Sequence, residues 1–188
     1  MKKLQKQINM SEQNVKRVVF GSAIACCLFA MMILCIQIYD LGTRIVYETD
    51  LNWNQQTSAT CHIEQKHICA KEIILKKQTD KLDILIRTIT WKNKYENSNM
   101  IVSLWKDEIG NELIKEEKFS TSDLSDQSIY NFILADLDIP AGKYIISFTS
   151  NEPNKPVALA IDRNQQGKKY IRDGNIIDNE DLKIKVLR

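Results

Sequence analysis

The sequence predicts an all-β outer domain, an antiparallel β-sandwich, preceded by one N-terminal transmembrane α-helix. Three observations predict this architecture. An uncharged apolar run occupies residues 18–39. From residue 70 onward the apolar residues alternate with a period of two, as they do in strands with one buried face. Short segments rich in Gly, Pro and Asn separate these runs, and no long amphipathic helical pattern lies between them.

Residues 18–39 form the first element, a run of 22 residues without charge in which Gln37 is the one strongly polar side chain. A helix rises about 1.5 Å per residue, so the run is roughly 33 Å long and crosses a hydrocarbon core of about 30 Å. The preceding residues 1–17 hold five basic side chains against Glu12 alone. Because basic residues stay on the cytoplasmic side, we predict a cytoplasmic tail over 1–17 and an extracytoplasmic remainder.

Two kinds of cleaved N-terminus are the alternatives to an uncleaved signal anchor. A cleaved signal peptide has a shorter apolar core followed by small residues, whereas this run ends in the sequence IQIYD. The window from Ala23 to Cys26 resembles a lipoprotein cleavage site, but the apolar run continues to Tyr39. These features favour a single-pass protein of the cell membrane.

The remainder divides into a linker and one domain. We predict a juxtamembrane linker over 40–60, within which residues 41–47 fit either a longer helix or a first strand. The β-sandwich is then expected over 61–188, and the 149 residues after the apolar run suffice for one core. These residues include 21 basic and 23 acidic side chains, mixed along the chain. Nucleic-acid binding needs a clustered basic face and is not predicted.

Strands are predicted where apolar residues alternate with others. Tyr144, Ile146 and Phe148 share one face of a strand and are expected in the core. Three further runs alternate in the same way, and their apolar positions are Leu82, Ile84 and Ile86, then Val157, Leu159 and Ile161, then Leu182, Ile184 and Val186. In the last run Lys183 and Lys185 are expected on the opposite face. Less regular runs predict strands over 68–76, 99–106, 112–118, 128–135 and 169–172.

Turn residues separate the predicted strands. Gly110 and Asn111 stand between two of them, as in a β-hairpin, and Pro140 presets the turn before the Tyr144 strand. The segments 151–154 and 173–175 mark two more turns. Eight or nine short strands at this spacing predict an antiparallel sandwich.

The five cysteines fall into two groups. Three lie in the apolar run, where a thiol packs as a small apolar side chain: Cys26, Cys27 and Cys35. Cys61 and Cys69 lie outside it, and in an oxidising compartment they are predicted to form a disulfide. Two free thiols are the alternative. His62 and His67 lie between them, but this spacing matches no standard zinc finger.

The tryptophans supply the candidate ligand-binding residues. Trp105 alternates in phase with Ser103 and is expected to pack in the core. Trp91 follows a strand and neighbours Lys92 and Lys94, and an exposed Trp at a strand end can stack on the apolar face of a sugar ring. We therefore predict Trp91, Lys92 and Lys94 as ligand-binding side chains, with packing at the core rim as the alternative for Trp91.

The sequence offers little enzyme machinery. It contains no G-x-S-x-G motif, P-loop or G-x-G-x-x-G motif. A Cys–His pair near residues 61–69 would need a third group and a pocket to act as nucleophile and base. We predict no catalytic residue, no cofactor and no metal ligand. Structural calcium at the acidic segment 173–181 is the alternative, although the spacing of an EF-hand is absent.

Three groups of residues, spread over about 90 positions, form a recognisable pattern: Gln78, Asp80, Leu82 and Leu85, then Val102, Leu104, Asp107 and Gly110, then Gly142, Lys143, Tyr144, Ile146, Phe148 and Ser150. This pattern resembles a jelly-roll module of bacterial cell-envelope proteins. That module occurs in membrane proteins and glycosyltransferases of surface-polysaccharide pathways, and it is similar to carbohydrate-binding β-sandwiches. The resemblance implies a jelly-roll-like sandwich and is mainly one of fold.

Together these features predict a non-enzymatic, membrane-anchored accessory or binding module in cell-surface glycan biology. Its expected partners are the membrane and a cell-surface glycan or another envelope membrane protein. The alternative is a structural subunit of a membrane complex that docks through its helix and its β-domain. Small residues in the helix, which allow close helix packing, support this alternative: Gly21, Ser22, Ala23 and Ala25.

Overall fold

The computed structural model describes residues 2–54, 58–90, 99–124, 126–151 and 157–188. The chain forms two compact units, Met1–Arg44 and Ile45–Arg188. The first unit is a single helix, and the second contains the strands. The predicted fold class, an antiparallel β-sandwich preceded by one N-terminal apolar helix, is confirmed.

Helix α1 spans Lys2–Arg44, which is longer at both ends than the predicted span of 18–39. No proline interrupts the sequence up to Arg44, so nothing breaks the helix at the edge of the apolar run. Within it, Val19–Tyr39 has a mean hydropathy of 2.6 and is long and apolar enough to cross a membrane. A membrane anchor and a signal sequence share this character.

The second unit consists of thirteen described strands and one short 3-10 helix, Thr121–Asp123. The strands are β1 Ile45–Glu48, β2 Ser58–Ile63, β3 Cys69–Leu75, β4 Leu82–Thr90, β5 Asn99–Lys106, β6 Glu112–Ser120, β7 Ser128–Leu134, β8 Gly142–Ser150, β9 Val157–Arg163, β10 Lys169–Arg172, β11 Asn175–Asp178, β12 Glu180–Leu182 and β13 Ile184–Leu187. Every run that the sequence predicts as a strand contributes at least one of them.

The strands form two antiparallel sheets. The seven-stranded sheet has the order β1-β13-β4-β9-β12, with β2 also paired to β9 and β7 to β4. The six-stranded sheet has the order β11-β10-β3-β8-β5-β6. The chain passes repeatedly from one sheet to the other, so neighbouring strands are often distant in sequence, as in a jelly roll.

The core lies between the two sheets and is apolar. Tyr144, Ile146 and Phe148 of β8 are at most 2% exposed, as predicted. The predicted core positions of β4, β9, β12 and β13 are also buried. Phe119 packs edge to face on Phe132, with ring centroids 4.6 Å apart. Burial of each large apolar side chain contributes about 1.5–3 kcal/mol to folding.

The segment predicted as a linker over 40–60 has regular structure where it is described. It completes α1 and supplies β1 and the start of β2, and β1 pairs with β13 whereas β2 pairs with β9. Tyr47 of β1 packs against the core. The sequence predicts a linker here because the segment is polar, and it is polar because both strands have a side that is not buried in the core.

Lys183 is buried, although it lies between the core residues Leu182 and Ile184 in the sequence. Its side chain is 1% exposed, and its Nζ lies 3.3 Å from the Asp50 carbonyl oxygen and 3.4 Å from Asp162 Oδ2. Lys183 sits between β12, which pairs with β9, and β13, which pairs with β4. Leu182 and Ile184 keep the predicted core positions, and contacts with Asp50 and Asp162 bury the lysine between them.

Candidate ligand-binding surface

A disulfide joins Cys61 of β2 to Cys69 of β3, as predicted, with the two Cα atoms 6.5 Å apart. Cys61 and Cys69 are both fully buried. Because each sulfur is bonded to the other, neither is a thiol nucleophile beside His62 or His67. The bond closes the β2–β3 connection into a small loop.

His67 lies in this loop between two carboxylates. Its Nδ1 is 2.8 Å from Asp173 Oδ2, and its Nε2 is 3.1 Å from Glu64 Oε1. The Ile68 N–H donates to Asp173 Oδ1 at 2.8 Å. Burial alone would raise the pKa of Asp173, but hydrogen bonds from His67 and Ile68 and the charges of His67 and Arg172 lower it overall. The contacts tie the loop to the β10–β11 turn.

The acidic segment 173–181 is not gathered around one point. Asp173 is hydrogen-bonded to His67, whereas Asp181 is fully buried beside Lys71. Within the parts of the chain that the structure describes, no group of three or more His, Cys, Asp and Glu side chains is placed to hold a metal ion. The oxygen ligands that calcium needs are therefore not brought together by these two aspartates.

The predicted ligand-binding residues Trp91, Lys92 and Lys94 lie outside the described residues, in the segment 91–98. Their role stays a prediction. The adjoining strands, β4 and β5, belong to different sheets.

Trp105 lies on the opposite side of its sheet from the core, which contradicts the predicted core position. On β5 the core-facing residues are Met100, Val102 and Leu104, all fully buried. Trp105 points the other way and is half-buried. Its Nε1 donates a hydrogen bond to Ser147 Oγ of β8 at 2.9 Å. We call this side of the six-stranded sheet the outer face and define it by Trp105, Ser147 and their neighbours in register.

The hydrogen bond places the indole across β8. Trp105 pairs in register with Ile145, and Ser147 lies two residues further along the same strand. Ile145 and Ser147 are 5% and 4% exposed although they face away from the core. The Trp105 indole is hydrogen-bonded to Ser147 and neighbours Ile145 in register. The ring is therefore held at a fixed position on the sheet surface with part of it open to solvent.

Polar and apolar side chains surround Trp105 on the outer face. Ser103 Oγ lies 3.3 Å from Glu116 Oε2, and Lys143 Nζ lies 3.7 Å from Glu72 Oε2. Two apolar side chains on the same face are well exposed, Ile74 at 63% and Leu113 at 47%. The surface thus combines an aromatic ring with hydrogen-bonding groups of both charges. In the sequence, this surface corresponds to the residues of β5 and β8 that alternate with the core-facing ones.

A second candidate is a polar cavity of about 380 Å³ in the β-domain. It is lined by Gln78, Thr79, Asp80, Asp138 and Arg188. Gln78 Nε2 donates to Asp138 Oδ1 at 2.6 Å, and Thr79 pairs with Ile139 through the backbone. Its lining contains no aromatic ring on which a sugar could stack. The outer face is therefore the better candidate for a glycan.

No family model and no curated protein matches the sequence. Among solved structures, the chain is similar to a carbohydrate-binding module of lichenase 5A from Cellvibrio mixtus, determined in complex with cellotriose. The similarity has a TM-score of 0.36 and 8% sequence identity, and it covers 77% of this chain and 95% of that chain. At this identity, no residue of that module assigns a role to a residue of this chain.

Proposed function

We propose that the protein is a membrane-anchored, non-enzymatic module that binds a cell-surface glycan on the outer face. The observation that carries the proposal is the position of Trp105. A large aromatic ring on the solvent side of a sheet offers its face to the apolar C–H side of a pyranose. Because Ser147 already accepts the indole N–H, the ring presents mainly its apolar face to a ligand.

The preformed position of the ring favours binding. A side chain that is already ordered loses little conformational entropy when a ligand arrives. The hydrogen bond to Ser147 and the pairing of β5 with β8 supply this order. The entropy lost when a sugar stacks on Trp105 would then come mainly from the sugar.

Neighbouring side chains match the hydroxyl groups of a sugar. Glu116 and Glu72 offer carboxylate oxygens as acceptors, and Lys143 offers a donor. They lie on strands β6, β3 and β8, around the β5 position of Trp105. Binding sites for small ligands commonly combine an apolar surface with a few polar groups that fix orientation.

The first 44 residues and the disulfide support a place at the outer side of a membrane. The stretch Val19–Tyr39 is long enough to act as an anchor, and the basic residues before it favour a cytoplasmic N-terminus. The Cys61–Cys69 disulfide fits an oxidising compartment, as expected outside the cytoplasm. The glycan would therefore be met outside the cell membrane.

The test is a glycan array probed with the full chain in lipid nanodiscs. The proposal expects wild type to bind a defined set of glycans and Trp105→Ala to lose that signal. The matched control is Trp53→Ala, because Trp53 is also half-buried but lies outside the strands. An array without signal, together with recovery of one membrane protein from detergent extracts, would instead support the structural-subunit alternative.

A further inference from the structure

A buried Lys–Asp pair links the two sheets. Lys71 lies on β3 of the six-stranded sheet, and Asp181 lies on β12 of the seven-stranded sheet. The distance from Lys71 Nζ to Asp181 Oδ1 is 2.7 Å, and the side chains are 6% and 0% exposed. Tyr47 of β1 completes the cluster, since its hydroxyl donates to Asp181 Oδ2 and accepts from Lys71 Nζ at 2.8 Å.

We propose that Lys71 and Asp181 are joined by an isopeptide bond, formed spontaneously in the folded domain. The pair already has the contact that the reaction needs, with the amine held against the carboxyl group and water excluded. Holding two reacting groups in one geometry can raise their effective concentration to about 10⁵–10⁸ M. The product would fasten β3 to β12 across the core.

The step balances without any oxidant or co-reactant. A proton first passes from the Lys71 ammonium to Asp181 Oδ1, which leaves a neutral amine and a carboxylic acid. The amine lone pair attacks Cγ of Asp181, so an N–C bond forms and the Cγ–Oδ1 bond breaks. The hydroxyl at Oδ1 takes a second proton from the nitrogen and leaves as water. One hydrogen stays on the new amide nitrogen.

The surroundings favour the neutral form of the amine. Burial lowers the pKa of Lys71, the charge of Lys168 lowers it further, and the hydrogen bond and charge of Asp181 oppose the shift, which is downward overall. Lys168 Nζ lies 3.3 Å from the Tyr47 hydroxyl and therefore adds positive charge beside the pair. An ionised pair in a dry site bears the full cost of desolvation, which the neutral pair avoids.

Tyr47 is a positioning residue that donates a hydrogen bond to the carboxyl group of Asp181. Burial, followed by the hydrogen bond and charge of Asp181, raises the pKa of Tyr47, so its hydroxyl keeps its proton. A hydroxyl that donates to Oδ2 draws electrons from the carboxyl carbon and stabilises the charge that develops on Oδ2 during attack.

The polar atoms of the product already have partners. Lys71 Nζ lies 2.7 Å from the Lys169 carbonyl oxygen, which would accept the amide N–H. Asp181 Oδ2, the oxygen retained in the amide, already accepts from Tyr47. The isopeptide would therefore replace a buried charge pair with a neutral amide whose own N–H and C=O have partners. The Leu182 N–H, which donates to Asp181 Oδ1 at 2.9 Å, would give up that acceptor with the departing water.

Lys183 and Asp162 provide an internal comparison. This second buried pair has an Nζ–Oδ2 distance of 3.4 Å, and Gln165 Nε2 also donates to the same oxygen at 2.9 Å. Asp162 thus shares that oxygen with an amide donor and lies farther from its lysine. We therefore expect no isopeptide bond between Lys183 and Asp162.

Mass spectrometry of tryptic peptides tests the proposal on the full chain after denaturation and reduction. Trypsin does not cleave after an acylated lysine, so the peptide His67–Lys76 should stay intact and be joined to Asp173–Lys183. The joined species should weigh one water less than the two peptides together. Lys71→Arg and Asp181→Ala should each release the separate peptides, whereas Lys183→Arg should keep the cross-link. Complete cleavage after Lys71 in wild type would show an ordinary ion pair and overturn the proposal.

Discussion

The indole of Trp105 is fixed by Ser147, which accepts the Nε1–H at 2.9 Å across the boundary between β5 and β8. The bond lies on the face of the six-stranded sheet that points away from the core. It leaves the aromatic face of Trp105 as the one large π surface on that side among the described strands. The relationship links the fold to the proposed function, because the pairing of β5 with β8 sets where the ring lies.

Replacing Phe148 with Ala should strongly destabilise the β-domain. Phe148 is fully buried on the central strand β8, and removing such a side chain costs about 3–5 kcal/mol. Chemical unfolding of the fragment 45–188 measures the change. Ile133→Ala serves as the control, because Ile133 is 43% exposed and should cost much less. Equal effects of the two substitutions would contradict the assignment of the core.

Period-two alternation alone predicts the faces of β8 but not those of β5. On β8, Tyr144, Ile146 and Phe148 form the larger apolar set, so the core side follows from the sequence. On β5 both sets contain large apolar residues, with Leu104 in one and Trp105 in the other. Which set meets the core depends on pairing with β8, and Trp105 and its β8 partner Ile145 are 40 positions apart in sequence. The predicted core position of Trp105 is therefore wrong.

Dependence on pairing with a distant strand also explains why the sequence does not clearly predict β1. β1 has four residues and pairs with β13 at the far end of the chain. A run this short gives no clear period, and its pairing partner cannot be read locally. The Cys61–Cys69 disulfide, by contrast, follows from the short separation of two cysteines outside the apolar run.

Residues 45–188 should fold as a stable fragment, and removal of residues 45–57 should lower its stability. The deletion uncovers the edge of β13 and removes the Tyr47 hydroxyl from Asp181. A buried polar group that loses its partner costs about 1–3 kcal/mol. The melting temperatures of fragments 45–188 and 58–188, measured under the same conditions, compare their stabilities. Identical melting temperatures would show that β1 adds nothing to the domain.

Acid should weaken the contact between the β2–β3 loop and the β10–β11 turn. The folded-state pKa of Asp173 lies below its ordinary value of 3.8. Its carboxylate therefore stabilises the fold above about pH 3.8, and this contribution is lost as the pH falls through the lowered pKa. The free energy of unfolding, measured as a function of pH, should decrease less in acid for Asp173→Asn than for wild type. Asp178→Asn, at an exposed position, should follow wild type, and a wild-type profile for Asp173→Asn would refute the assignment.

The N-terminus should be cytoplasmic and retained in the mature protein. Five basic residues precede the apolar stretch Val19–Tyr39, and they favour the cytoplasmic side. Protease added to intact cells should remove the β-domain and spare an epitope placed before Lys2. Removal of the epitope with protection of the domain would reverse the orientation. An intact mass lacking the first residues through the apolar stretch would instead identify a cleaved signal sequence.

The central claim is that Trp105 is the surface on which a glycan stacks. Calorimetric titration of the full chain in nanodiscs with the strongest glycan from the array tests it most directly. Trp105→Ala should weaken binding by roughly tenfold or more, because loss of a stacking ring costs about 1–3 kcal/mol. Trp105→Phe should retain part of the affinity, since a smaller ring still offers an apolar face. Wild-type affinity in Trp105→Ala, with the domain shown to be folded by its melting curve, would contradict the claim.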